Sequence, residues 1–174
     1  MPERRRPGRL VLLAPAAVVA IDALLARASP PRTTTALLDE AAHLVTTLLF
    51  LGAVGAPPST SVLGGAVAGA VLLDLDHLPR ELGWDGLSRG SRRPYAHSLA
   101  GVASVALLTR RLRGPPRRAW PAAVAGLVLH LVRDMATGGV PLLWPATGRG
   151  VELPYASYAA ALLLWAGLLV WRPA

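Results

Sequence analysis

SVLGGAVAGAVLLDLDHLP, residues Ser61–Pro79, is an apolar run that ends in two aspartates and a histidine. Its first half is rich in Gly and Ala, the composition of a helix that lies close against a neighbour in lipid. Its last turn carries Asp74, Asp76 and His77 ahead of Pro79. Ionisable groups in so apolar a setting are costly unless they have a partner or a task. The same pattern recurs along the chain, as Asp39-x-x-x-His43, His97-Ser98 and His130-x-x-x-Asp134.

The rest of the chain has the same character. Its 174 residues are 53% hydrophobic and 16% charged, with mean hydropathy +0.44, the size of one domain. Apolar runs span Leu10 to about Leu25, Thr35–Ala56, Val62–Leu78, Ala96–Leu108, Ala119–Thr137 and Tyr155–Trp171. Several approach the roughly 20 residues that cross a bilayer. The expected fold is therefore all-α, a polytopic membrane helical bundle of about five to six transmembrane helices in a single domain, 1–174. Residues 1–28 read as a first transmembrane helix or signal-anchor, retained in preference to cleavage at Ala26-Arg27-Ala28. Residues 39–145 hold the metal-site region.

The net charge is +8, and every basic side chain is an arginine. These arginines flank the apolar runs, which suits topology and anionic headgroups, so no nucleic acid is expected. With no cysteine, disulfides and thiolate metal sites are excluded. Placing the Arg110–Arg118 block, read as a loop, in the cytoplasm makes the spans alternate. Every His and Asp motif then falls at the same, outer, end of the bundle.

That convergence selects the candidate residues. Imidazole and carboxylate together form a ligand set for zinc or another divalent first-row metal. His130 and Asp134 share a helical face, as do Asp39 and His43, and Asp74 and His77. Asp76 points elsewhere on a regular helix, unless the helix frays before Pro79. The metal candidates are His43, Asp74, His77, His97, His130 and Asp134, holding one to three divalent ions, with zinc the first choice. Asp76 and Asp39 are candidates to orient or deprotonate water. Arg89, Arg92 and Arg93, with Ser98, are candidates to hold a phosphate or carboxylate. Asp22 reads as an isolated structural contact, and Glu40 as a helix-start carboxylate suited to the positive dipole end.

Three strings, LLDLDHLP (Leu72–Pro79), RPYAHSL (Arg93–Leu99) and HLVRDMATGGVPLLWP (His130–Pro145), resemble the YdjM-like inner-membrane metal-dependent hydrolases of bacteria. The family's elements are Asp-x-Asp-His, Arg-x-x-x-His-Ser, and His-x-x-x-Asp followed by Thr and Gly-Val-x-Leu-Leu-Trp-Pro. They fall here on Asp74, Asp76 and His77, on Arg93, His97 and Ser98, and on His130, Asp134, Thr137 and Gly139–Pro145. Family members often carry a histidine near the start of the protein, and the nearest equivalent here is His43, after an additional apolar run. A more distant similarity, to the zinc-dependent phospholipase C and P1 nuclease group, implies two or three metals and phosphoester hydrolysis.

The leading expectation is thus a multi-pass inner-membrane hydrolase. It would cleave a phosphoester or related ester of a lipid or envelope molecule, using water acidified by a metal ion to a pKa of about 7. A transporter or metal-handling protein is the alternative, since intramembrane Asp and His also mark ion paths. A purely structural bundle glued by His–Asp pairs is the third reading.

Overall fold

The computed structural model describes residues 9–28, 30–56, 59–77, 93–111 and 115–171. Arg89 and Arg92 lie outside them. Six α-helices run through the described residues: α1 Leu13–Arg27, α2 Arg32–Ala53, α3 Thr60–Val71, α4 Leu99–Arg110, α5 Pro115–Thr137 and α6 Tyr155–Trp171. A short 3-10 turn, Arg9–Leu12, leads into α1, and a second, Leu72–His77, follows α3. The architecture is all-helical. Among the described residues the only extended pairing is an isolated antiparallel bridge between Val140 and Val151.

Local chemistry sets the ends of these helices. Pro30 and Pro31 separate α1 from α2, since neither continues a helix. Gly55, at φ +78°, closes α2. The Gly55 N–H donates to the Gly52 carbonyl and the Ala56 N–H to Leu51, a glycine-terminated cap. Ser59 caps α3 by accepting the Val62 N–H at 3.2 Å. α5 starts inside the basic block expected to be a loop. Pro115 is tolerated in a first helical turn, where its missing N–H would have no partner, so Arg117 and Arg118 join the helix.

One helix, α2, is long and apolar enough to cross a bilayer, while α4 and α6 are apolar but shorter. The expectation of five to six full spans thus has one clear counterpart among the described helices. α1, α2 and α6 bury a common core of Val18, Ala42, Leu49, Tyr158, Leu162 and Ala166. Thr46 of α2 and Tyr158 of α6 share a buried hydrogen bond of 2.6 Å.

α3 and α5 meet backbone to backbone. A Cβ on Gly65 would run into the Ala119 carbonyl, and one on Gly69 into that of Ala123. A Cβ on Gly126 would come within 2.8 Å of the Ala70 nitrogen. The small-residue stripe read from the sequence is therefore a close helix crossing. It presents the C-terminal end of α3 directly to His130.

Candidate metal centre

Four chain segments deliver the site. α2 brings Asp39 and His43, the 3-10 turn after α3 brings Asp74, Asp76 and His77, the turn before α4 brings His97, and α5 brings His130 and Asp134. Asp74, His97, His130 and Asp134 each offer a ligand atom within 4.8 Å of the others. So do Asp74, Asp76, His77 and His97, and so do Asp39, His43 and Asp74. Asp74 belongs to all three groups. Every residue expected to bind metal is thus in one cluster, together with both aspartates expected to handle water.

Two local findings differ from the sequence reading. The helix carrying Asp74–His77 neither continues nor frays; it tightens into a 3-10 turn. Three residues per turn keep Asp74 and His77 in line and swing Asp76 inward. Asp76 Oδ2 reaches His97 Nδ1 at 3.1 Å. α4 begins at Leu99 rather than Ala96, because Ser98 caps it by accepting the Gly101 N–H at 3.1 Å. Ser98 is fully buried, so this expected substrate group serves the helix start that holds His97 in place.

His43, His97, His130 and Asp134 are almost completely buried. His130 Nδ1 lies 2.8 Å from the Ala70 carbonyl, which can only accept, so Nδ1 carries the proton. Nε2 is left facing Asp74 Oδ1 and Asp134 Oδ2, each 3.3 Å away, and has no hydrogen-bond partner. In the neutral ring this lone pair is repelled by both carboxylates until a second proton or a metal ion lies between them. A backbone carbonyl that fixes the tautomer and frees Nε2 is the usual support of a metal-ligating histidine.

His97 repeats the arrangement. Its Nδ1 faces Asp76, and its Nε2 lies 3.0 Å from Asp74 Oδ1 and 3.5 Å from Asp134 Oδ2. A neutral ring has one proton for these two sides. His43 stacks on His130 with parallel rings 3.6 Å apart, and neither of its nitrogens is hydrogen-bonded. His77 sits edge-on to His97 at 5.2 Å, with Nε2 3.5 Å from Asp74 Oδ1.

Arg93 borders the cluster, its Nη2 2.9 Å from Asp134 Oδ1. Asp39 is also engaged on its far side. Arg133 Nη1 donates to Asp39 Oδ1 at 2.6 Å, while its Nη2 and Nε donate to Asp22 Oδ1 at 2.6 and 3.2 Å. Tyr155 completes this set by donating to Asp22 Oδ2 at 2.8 Å. Asp22 is therefore a structural contact, as its isolation in sequence implied.

Arg133 and Glu40 are the two residues whose place the sequence reading missed. Arg133 lies one position before Asp134, so adjacency to the motif was its only signal. Glu40 does not sit at the helix start: α2 begins at Arg32, which puts residue 40 beyond its second turn. Its Oε2 is buried without a hydrogen-bond partner, and the carboxylate interacts with Asp74.

Compared with known proteins, residues 38–173 match the family described as YdjM inner membrane protein. That span contains every candidate ligand and begins after α1. No curated protein and no solved structure matches the chain.

Proposed function

From the premise that the chain belongs to the YdjM inner membrane protein family, we propose that its His/Asp cluster makes it a metal-dependent hydrolase acting at the membrane. The observation that carries this reading is His130, its Nδ1 committed to the Ala70 carbonyl and its Nε2 aimed unpartnered at Asp74 and Asp134.

The donor set fits a borderline divalent cation. It is imidazole and carboxylate without thiolate, from residues on four segments, with zinc the first choice. Asp74, His97, His130 and Asp134 would hold one ion, and His77, 3.5 Å from Asp74, would add a further donor beside them. Such a cation supplies Lewis acidity and makes water acidic enough to attack an ester near neutral pH.

The protein's own groups divide the remaining work. Asp76 orients His97 through Nδ1, as the Ala70 carbonyl orients His130. Glu40, with a buried and unpartnered Oε2, is the acid best situated to accept a proton from water. Asp39 is the weaker candidate, because Arg133 holds its Oδ1. Arg93 would steady an anionic ester group beside Asp134. The phosphoester class and the outer-face, multi-pass arrangement belong to the same proposal, supported by the arginine and the topology argument.

The test is hydrolysis of a phosphodiester and of a short-chain phospholipid by the purified full chain with added zinc. A His97→Ala plus His130→Ala protein should lose both metal and activity. Loss of metal beside unchanged hydrolysis would reject the scheme. Charge inside helices, at buried Asp22 and Arg133 and half-buried Asp39, keeps one rival in view, a metal-handling transporter. Zinc flux into liposomes without turnover of any ester would favour it.

A further inference from the structure

His43 has no role in the ion site proposed above, yet it is 1% exposed and neither of its ring nitrogens has a hydrogen-bond partner. Two unbonded nitrogens inside a protein are costly. The ring lies flat against His130, with parallel planes and centroids 3.6 Å apart. Both rings turn Nε2 toward the same carboxylate, but toward different oxygens. His130 Nε2 lies 3.3 Å from Asp134 Oδ2, and His43 Nε2 lies 3.4 Å from Asp134 Oδ1. Arg93 also reaches Oδ1, at 2.9 Å, which leaves that oxygen a second lone pair. Two stacked imidazoles, each facing its own oxygen of one aspartate, match a pair of bridged ions, which sit about 3.5–4 Å apart.

The other donors are close by. Asp39, His43 and Asp74 each offer a ligand atom within 4.8 Å of the others. Asp39 and His43 share one face of α2, a turn apart. Asp39 Oδ2 is 3.9 Å from His43 Nε2, while Arg133 holds the other oxygen, Oδ1. Asp74 is common to this group and to the four-residue site, and its two oxygens let it serve both.

Charge points the same way. Among the described residues, Asp22, Asp39, Asp74, Asp76 and Asp134 form a connected set of five carboxylates, paired with two arginines, Arg93 and Arg133. One divalent ion with neutral imidazole ligands leaves that set negative, before the buried Glu40 carboxyl beside Asp74 is counted. Uncompensated charge is expensive at such depth.

We propose that the centre takes a second divalent cation, bound by Asp39, His43 and Asp74 on the Oδ1 side of Asp134. This deepens the metal-dependent hydrolase reading and rests on it for the first ion. Imidazole and carboxylate again suit a borderline cation such as zinc. With one imidazole and a shared carboxylate, this site is the weaker of the two. It fills second, after the first ion has fixed Asp74 and Asp134. α2 then supplies half of a paired site.

The experiment is zinc uptake by the purified full chain in maltoside micelles, read by equilibrium dialysis and metal analysis, with manganese(II) as a spin probe. The unmodified chain should take up about two zinc ions, and His43→Leu about one. Asp39→Asn, which keeps an oxygen for Arg133, should weaken the second ion by about tenfold or more and leave the first unchanged. It serves as the test if the leucine variant fails to fold. Loaded with manganese(II), the unmodified chain should give the exchange-coupled spectrum of neighbouring ions, and His43→Leu that of a lone ion.

A single ion in the unmodified chain, retained in both variants, would overturn the second site and leave the hydrolase reading standing. Two ions that persist in both variants with uncoupled manganese would mark an adventitious ion elsewhere and overturn it equally. Paired ions in a chain that cleaves no ester would uphold the site and remove the hydrolase. No zinc in any sample would remove both.

Discussion

Arg133 and Asp134 are neighbours on α5, yet they belong to two different kinds of buried polar group. Around Arg133, three guanidinium donors reach two carboxylates at 2.6 to 3.2 Å, and Tyr155 takes up a remaining oxygen. Around Asp134, three histidine nitrogens approach to 3.3, 3.4 and 3.5 Å without hydrogen-bond geometry, and one arginine, Arg93, reaches Oδ1 at 2.9 Å. The first set is electrically complete as it stands. The second, beyond its Arg93 contact, sets carboxylate oxygens against imidazole nitrogens without hydrogen bonds, an arrangement that costs free energy until a proton or a metal ion joins it. Completeness of this kind separates groups that hold helices together from groups that await a ligand, even where both are equally buried.

The sharpest way to break this comparison is to remove ligands from the incomplete set. His97→Ala combined with His130→Ala should abolish zinc binding in metal analysis, a loss beyond the roughly 100-fold that changes behind the ligands produce. Full zinc content in that variant would end the distinction.

The opposite experiment strikes the complete set. Arg133→Met leaves buried Asp22 and half-buried Asp39 without a counter-charge, and should cost about 3–5 kcal/mol of stability in denaturant unfolding. Zinc stoichiometry, measured below the unfolding midpoint, should stay that of the unmodified chain. A stable variant that loses its metal would show that the two sets act as one.

A finer probe is Asp76→Asn, which keeps the shape beside His97 Nδ1 and removes the charge. Zinc affinity should fall by about 10- to 100-fold with little change in thermal unfolding. The smallest expected effect has the opposite sign. His43→Leu replaces a buried ring with two unbonded nitrogens, so the metal-free protein should gain about 1 kcal/mol. The metal-loaded protein should gain nothing.

The cluster was legible in the sequence because helical spacing and alternating spans are enough to gather it. His130 and Asp134, four apart, needed only a helix, and Asp74 and His77 needed only to end one on the same side. Contacts that depend on tertiary packing were not legible. Asp22 meets Arg133 across 111 positions, and nothing local pairs an isolated aspartate with one arginine among the chain's 18 basic residues. Glu40 was misplaced because its reading depended on where α2 starts, and a shift of three residues moved it out of reach of the dipole. Helix number and order were readable from hydropathy. Bilayer crossing was less so, because length and apolarity meet the requirement clearly only in α2.

The absent side chains at Gly65, Gly69 and Gly126 carry a consequence for how this protein varies. They let α3 and α5 touch along their main chains, and that contact holds the Ala70 oxygen against His130. A single methyl group added at this seam, far from any charge, would spread the two helices and release the imidazole from the bond that aims it. Alanine at residue 69 should then weaken zinc binding as a substitution in the centre itself would, although no atom of that residue belongs to the site.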